Sequence, residues 1–182
     1  MLYSIILACT FYGGIGYKNT IPWEIKEDLH KFRIITTVTN ASHKKNAVIM
    51  GRNTWESLPY KPLRNRMNIV ISREDDYYNE KYKDMCDVFF VSNLDDAFKY
   101  CEYNLDKIDR VFVIGGAMIY NECFTNEKYK TKIDRIYLSL IVKNYMCDRF
   151  IDVKNILQNY IINMNDIEFN NKYISMVAYN NN

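Results

Sequence analysis

A carboxylate stands where an apolar side chain would be expected. At about 100° per residue, Ile25, Leu29, Phe32 and Ile35 form one apolar stripe on a helix predicted over residues 24–38. Asp28 falls inside that stripe, while Glu24, Lys26, Glu27, Lys31 and Arg33 point elsewhere. An acid on an apolar face must be paired or hydrogen-bonded, or its pKa rises by desolvation. Either state suits recognition of a cationic or amidine-like ligand edge. The plainer role of the same residue is an acid near a helix N-terminus, favoured by the macrodipole.

A second chemistry lies in two strand-turn-helix junctions, Val48-Ile49-Met50-Gly51-Arg52-Asn53-Thr54-Trp55 and Val113-Ile114-Gly115-Gly116-Ala117-Met118-Ile119-Tyr120. Each puts glycine beside a predicted helix start, where free N–H groups hold phosphate, and the first adds a guanidinium. Two such junctions fit a diphosphate bridge. A further strand ends Ile71-Ser72-Arg73, so Arg52 with Arg73 would clamp one more phosphate, as a 2′-phosphorylated adenosine requires. The structural alternative is that the glycines only let helix and strand pack closely.

The third feature is the loop Gly13-Gly14-Ile15-Gly16-Tyr17-Lys18-Asn19-Thr20-Ile21-Pro22-Trp23. Asn19 occupies the sixth position of a Gly-x-Gly-x-x-Gly scan and the chain runs into Pro22 instead of opening a helix, so this is no dinucleotide fingerprint. A glycine-rich stretch ending in a rigid Pro-Trp corner reads as a mobile cover, hinged at one end and anchored at the other. Gly and Pro also punctuate ordinary surface loops.

The elements that must position these residues follow from periodicity. Short runs rich in Ile and Val at 2–9, 47–50, 67–71, 88–91, 111–114 and 133–142 do not alternate, as strands buried on both faces should not. Helical patterns lie at 24–38, briefly from Thr54, at 94–101 behind the cap candidate Asn93, and at 117–124. Residues 160–167 and 172–179 flank an Asn170-Asn171 turn signal and predict an antiparallel hairpin. The expectation is an α/β fold: one domain over 1–182, a central, mostly parallel twisted sheet, flanking helices and a C-terminal antiparallel hairpin. Open sheets of this kind bind ligands beyond the carboxyl ends of their strands.

Composition narrows the function. Lys and Arg total 24 against 22 Asp and Glu, a net charge of +2, too small to steer nucleic acid or anionic lipid. No apolar run approaches the roughly 20 residues of a membrane span, and residues 1–9 lack the basic region and cleavage site of a signal peptide. Five cysteines, Cys9, Cys86, Cys101, Cys123 and Cys147, form no Cys-x-x-Cys pair, so neither a disulfide framework nor a metal site is expected. Reduced, mostly packed thiols predict a cytoplasmic protein.

Taken together and in this order, these residues resemble dihydrofolate reductase. The segments that carry the resemblance are Gly14-Ile15-Gly16, Ile21-Pro22-Trp23, Asp28 with Phe32, Ile49-Met50-Gly51-Arg52-Asn53-Thr54-Trp55-Glu56-Ser57-Leu58, Pro62-Leu63-Arg64-Asn65-Arg66, Ile71-Ser72-Arg73 and Ile114-Gly115-Gly116-Ala117-Met118-Ile119-Tyr120. In that family a hydride passes from nicotinamide C4 of NADPH to C6 of 7,8-dihydrofolate, N5 gains a proton, and tetrahydrofolate is formed. The resemblance implies that Asp28 binds the 2-amino and N3 edge of the pterin. It implies that Ile6, Leu7, Ala8, Leu29, Phe32, Leu58, Leu63 and Ile114 wall the substrate, and that Arg66 holds the glutamate α-carboxylate.

For NADPH, it implies that Arg52, Thr54, Ser72 and Arg73, with Gly51 and Asn53, surround the 2′-phosphate and diphosphate. Ala8, Ile15 and Gly16 would contact the nicotinamide carboxamide and ribose, Ile114 and Tyr120 would flank the ring, and Ala117, Met118 and Ile119 would complete the cofactor side. The family joins the Gly115-Gly116 pair by a cis peptide. Asp28, Ser139 and Tyr120 are the residues it assigns to catalysis.

Two departures from the family pattern stand out. Ser139 replaces the usual Thr beside the acid, and Cys147-Asp148-Arg149-Phe150 lacks the Thr of the family's Asp-Thr segment and is one residue short. Two other readings keep the cofactor half alone: a pyrimidine reductase of riboflavin synthesis, and a catalytically silent nucleotide-binding homologue. The resemblance implies dihydrofolate and antifolates as small-molecule partners and a monomer, with room for fusion to or association with thymidylate synthase.

Overall fold

The computed structural model describes residues 1–180. The chain runs β1 (Tyr3–Thr10), β2 (Gly14–Gly16), α1 (Lys26–Thr37), β3 (Lys45–Gly51), α2 (Arg52–Ser57), β4 (Arg66–Ile71), α3 (Asp75–Lys81) and β5 (Val88–Val91). It continues with α4 (Leu94–Tyr103), β6 (Ile108–Val113), α5 (Ala117–Thr125), α6 (Glu127–Lys130) and β7 (Ile133–Ile141). The last elements are β8 (Arg149–Phe150), α7 (Val153–Asn159), β9 (Ile161–Ile162), β10 (Glu168–Phe169) and β11 (Tyr173–Tyr179).

The main sheet is ordered β10-β11-β7-β1-β6-β3-β4-β5, with β9 also paired to β11. From β5 to β7 every pairing is parallel, and β11 then returns antiparallel against β7. Both faces are covered, which is why the strands read as unbroken apolar runs. Alternate residues Ile5, Leu7, Ile49, Ile69, Val111 and Val113 build the core on one face. Ile6, Val48, Met50, Val70, Phe112 and Ile114 build the core on the other, under Trp55 and beside Phe32 and Ile35 of α1. The fold class is therefore the one expected.

Three helices have no counterpart in the sequence reading. In α3 only Tyr78 is buried, so no apolar stripe announces it; its tyrosine stacks on Phe90 at 5.0 Å instead. The four-residue α6 buries only Tyr129. Helix α7 buries Val153 and Ile156 behind Asp152, whose side chain accepts from the Asn155 N–H, a cap too short in apolar periodicity to be legible.

The first arm of the predicted hairpin is broken. Ile161–Ile162 pairs with Ala178 and Tyr179, a 3-10 turn at Met164–Asp166 follows, and only Glu168–Phe169 resumes pairing on β11. Asn163 causes the interruption by accepting from the Asn165 N–H, a local bond that competes with the ladder. The turn itself is where Asn170 placed it, since its side chain accepts from the N–H groups of Lys172 and Tyr173.

All five cysteines are free thiols. Burial pushes those of Cys9, Cys101 and Cys123 up to about 12, which leaves them inert in the core. No helix among the described residues is long and apolar enough to cross a membrane.

Candidate active site

The carboxyl ends of β1, β3, β4 and β6 open onto one cleft of about 1300 Å³. A drug-sized ligand needs about 300–1000 Å³, so the space suits two ligands side by side. Asp28, Ser139, Tyr120, Ile6, Leu7, Ala8, Leu29, Phe32, Leu58, Leu63, Arg66 and Ile114 all line it. So do Ile15, Gly16, Gly51, Arg52, Asn53, Thr54, Ser72, Arg73, Gly116, Ala117, Met118 and Ile119. Among the residues picked from the sequence, Gly115 alone stays off the wall.

Helix α1 supplies one side. Its stripe of Ile25, Leu29, Phe32 and Ile35 faces the cleft as well as the core, which is why Leu29 is half exposed. Asp28 is half-buried, and its Oδ1 accepts from the Ser139 hydroxyl at 2.6 Å. Burial raises the Asp28 carboxyl above its ordinary value, against the pull of that hydroxyl and of the Lys31 ammonium. Two turns further along, Arg66 donates to Thr36 Oγ1 at 2.8 Å and to the Arg64 carbonyl at 3.1 Å, with Phe32 beside its guanidinium. Burial and the nearby Arg33 charge push Arg66 down to about 10.

The other side comes from the two glycine junctions. Gly51 N–H donates to the Gly115 carbonyl at 2.7 Å, which locks the starts of α2 and α5 together. Neither Gly51 nor Gly116 offers a side-chain cap, so the first N–H groups of both helices are open to a ligand. The Gly115–Gly116 peptide is cis. Gly115 has φ +102°, and a Cβ there would sit 2.6 Å from the Tyr120 ring. Tyr120 is buried, and its hydroxyl donates to the Ile6 carbonyl at 2.8 Å, so the phenol is committed to the scaffold. At the outer end, exposed Arg52 lies 3.4 Å from the Tyr78 hydroxyl and 3.8 Å from Glu74, with Ser72 and Arg73 on the same rim.

The glycine loop folds as a hairpin. Tyr17 and Thr20 exchange both backbone bonds around Lys18 and Asn19, which have φ 48° and 60°, the pattern of a two-residue primed turn. Its root pairs with β8, and Asp148 takes the place of a clasp: its N–H donates to Gly16 O at 2.9 Å and its carboxylate accepts from Lys18 N–H at 3.1 Å. The shortened segment thus still reaches the loop. Trp23 is buried against Tyr145 and lines the cleft.

The helical projection turned Lys31 and Arg33 away from the cleft, and the structure places both on its wall. Their long stems let the charged heads reach round the helix. Thr36, Ser175 and Trp23 were also not picked out as site residues. Thr36 was findable as the residue four beyond Phe32 on the same face.

No cluster of His, Cys, Asp or Glu among the described residues is arranged to hold a metal ion. The profile of the family described as dihydrofolate reductase matches residues 2–179. The chain belongs to the dihydrofolate reductase family.

A dihydrofolate reductase of Heliothis virescens is 37% identical over 149 residues, covering 81% of this chain and 77% of that protein. The dihydrofolate reductase of Saccharomyces cerevisiae is 38% identical over 120 residues, 62% of this chain and 54% of that protein. The bifunctional dihydrofolate reductase-thymidylate synthase 1 of Arabidopsis thaliana is 38% identical over 151 residues, 82% of this chain. The chain spans 28% of the length of that bifunctional protein and about half of the yeast enzyme. The cleft carries an acid of α1 on one wall and two open helix starts on the other.

Proposed function

We propose that this chain reduces 7,8-dihydrofolate to 5,6,7,8-tetrahydrofolate with NADPH. One relationship carries the reading: Asp28 and Thr36, which holds Arg66 of β4, lie two turns apart on α1 with Phe32 between them. From Asp28 to Thr36, which holds Arg66, α1 rises about 12 Å. An acid, an aromatic wall and a buried guanidinium in that order fit a pterin edge, a benzoyl ring and a carboxylate. Among the described residues no carboxylate pairs with Arg66, and a buried cation without a counter-ion is costly unless a ligand supplies one.

The Asp28 carboxylate accepts the amino and N3 edge of the heterocycle in this scheme. Its Oδ1 already takes the Ser139 hydroxyl, which fixes the group and leaves Oδ2 for the ligand. The negative charge favours a protonated pterin, and the apolar walls of Ile6, Phe32 and Leu58 strengthen that field by excluding water. Tyr120 holds the β1 backbone at Ile6 and thereby the wall against which the rings would lie.

The residues present also fit the cofactor. Two uncapped helix starts suit a diphosphate, and Arg52, Arg73 and Ser72 suit a 2′-phosphate. When bound, NADPH supplies the hydride. The hairpin over Gly14–Gly16 covers the site and keeps water out.

The whole of 1–182 would act as one catalytic domain, monomeric in solution and cytoplasmic, in keeping with five free thiols. Association with a thymidylate synthase would appear as a larger species in light scattering of the native protein. The activity is tested by following NADPH absorbance: it should fall only when dihydrofolate is added, and more slowly with NADH. No loss of absorbance with dihydrofolate present would overturn the reading.

A further inference from the structure

Asp28 and Lys31 are three residues apart on α1 and therefore neighbours on the helix surface. The Lys31 ammonium does not trail into solvent. It donates to Ser175 Oγ at 2.7 Å and to Glu168 Oε2 at 3.0 Å. Ser175 is buried and stands directly opposite Ser139 in the β7–β11 pairing, and opposite Glu168 in the β10–β11 pairing. Side chains directly opposed in an antiparallel pair lie on one sheet face with Cβ atoms about 4.5–5.5 Å apart. Two neighbouring hydroxyls thus serve two neighbouring helix residues, Ser139 on Asp28 and Ser175 on Lys31. All four side chains line the cleft.

We propose that Lys31 is a positioning residue for the substrate-binding carboxylate: clamped by Ser175 and Glu168, its ammonium keeps Asp28 in the ionised form that grips the heterocycle. The inference rests on the dihydrofolate reading for the identity of that heterocycle. An exposed Lys–Glu pair alone would fix little, because such pairs exchange freely with water. The buried Ser175 hydroxyl is what holds the charge in place.

The remaining groups around Asp28 do not duplicate it. Glu27, on α1, is engaged by Lys172 at 2.7 Å. From β11, the Tyr173 phenol is pushed up by burial and by the charges of Asp28, Glu168 and Glu27, so it stays neutral. From β7 comes the Ser139 hydroxyl, which donates to Asp28 Oδ1. Lys31 is the cation whose charge opposes the desolvation of Asp28.

The test is a direct 13C NMR titration of the Asp28 carboxyl, beside the pH profile of kcat/KM for dihydrofolate. Lys31→Met should move the Asp28 titration up by at least about half a pH unit, and move the acid limb of the profile with it. Lys31→Arg should restore both. Ser175→Ala, which removes the buried bond that holds the ammonium, should move both up. An unchanged or lowered titration in Lys31→Met overturns the proposal. Should that variant fail to fold, Ser175→Ala decides: an upward shift supports the clamp, and no shift or a downward one overturns it. The NMR titration needs no turnover, so a wild-type protein inactive with dihydrofolate would refute the activity and leave Lys31 still to be judged by its own result.

Discussion

The Ser139 hydroxyl and Asp28 Oδ1 meet at 2.6 Å although 111 residues separate them in the chain. A β7 side chain thereby fixes the rotamer of an α1 acid and leaves its second oxygen facing the cleft. Asp28→Asn keeps the size and the Ser139 contact but removes the charge that favours a protonated pterin. Turnover should fall by at least ~10²-fold, about 2.7 kcal/mol in the barrier. Steady-state kinetics with saturating NADPH would show it, and a full rate would remove Asp28 from the chemistry.

The same substitution should stabilise the fold. Burial sets the folded-state pKa of Asp28 above its unfolded value. The folded protein therefore bears a cost above that pKa, and the cost disappears as pH falls through it toward the ordinary aspartate range. Asp28→Asn should melt above wild type at pH 7, with the gap closing on acidification. Calorimetry at several pH values checks this; an equal or lower midpoint at pH 7 counts against a desolvated carboxylate.

Arg66 presents the opposite charge in the same predicament. Its guanidinium rests on the Thr36 hydroxyl and a backbone carbonyl, neither of which neutralises it. A ligand carboxylate would add a charge-assisted bond of about 1.5–3 kcal/mol. Arg66→Leu should therefore raise KM for dihydrofolate by roughly 10- to 100-fold with kcat little changed. Arg66→Lys should fall between, since an ammonium lacks the fork. An unaltered KM in both variants would mean that the carboxylate binds elsewhere.

How far this site could be read in advance depended on where each signal resides. Asp28 was legible because one helix holds both the acid and its apolar neighbours. The parallel strands were legible because burial on both faces leaves continuous Ile and Val. Lys31 was misread for a physical reason: a helical projection places Cβ atoms, whereas a four-carbon stem carries its charge to a partner on β11. Ser175 carries no periodic signal, since its hydroxyl is chosen by whatever lies across the sheet, whereas Thr36 continues the Asp28–Phe32 row of α1. Ser139 came from family resemblance, not from any pattern in its own strand. The hairpin arm failed at Asn163, where side-chain bonding to the local backbone outweighed an Ile-rich run.

At the far rim, among the described residues, Arg73 has no side-chain partner to offset its charge, whereas Arg52 already shares Tyr78 and Glu74. Arg73 is thus the freer of the two to meet a 2′-phosphate. Arg73→Ala should raise KM for NADPH by about tenfold and leave KM for NADH unchanged. The difference between cofactors should also shrink with added salt, because both groups are solvent-exposed. Equal losses for NADPH and NADH would place Arg73 outside the phosphate site.

Gly13 tests whether the hairpin over the cleft depends on its clasp. Its φ is +80°, and an added Cβ would lie 2.1 Å from the Ile151 carbonyl oxygen, a backbone atom with nowhere to move. The Ile151 N–H donates to Gly13 O at 2.9 Å, so relieving the clash also breaks that bond and parts the loop from β8. Gly13→Ala should cost about 2 kcal/mol or more, a fall of roughly 4–8 °C in midpoint. It should also lower kcat/KM for both dihydrofolate and NADPH, as water reaches the site. Asp148→Ala separates the two effects. Its carboxylate is near the surface, so stability should change by no more than about 0.5 kcal/mol. Loss of the Lys18 bond should nonetheless loosen the cover and reduce kcat/KM. If Asp148→Ala leaves the kinetics intact while Gly13→Ala impairs them, the loop is held by its backbone ladder and the carboxylate is dispensable.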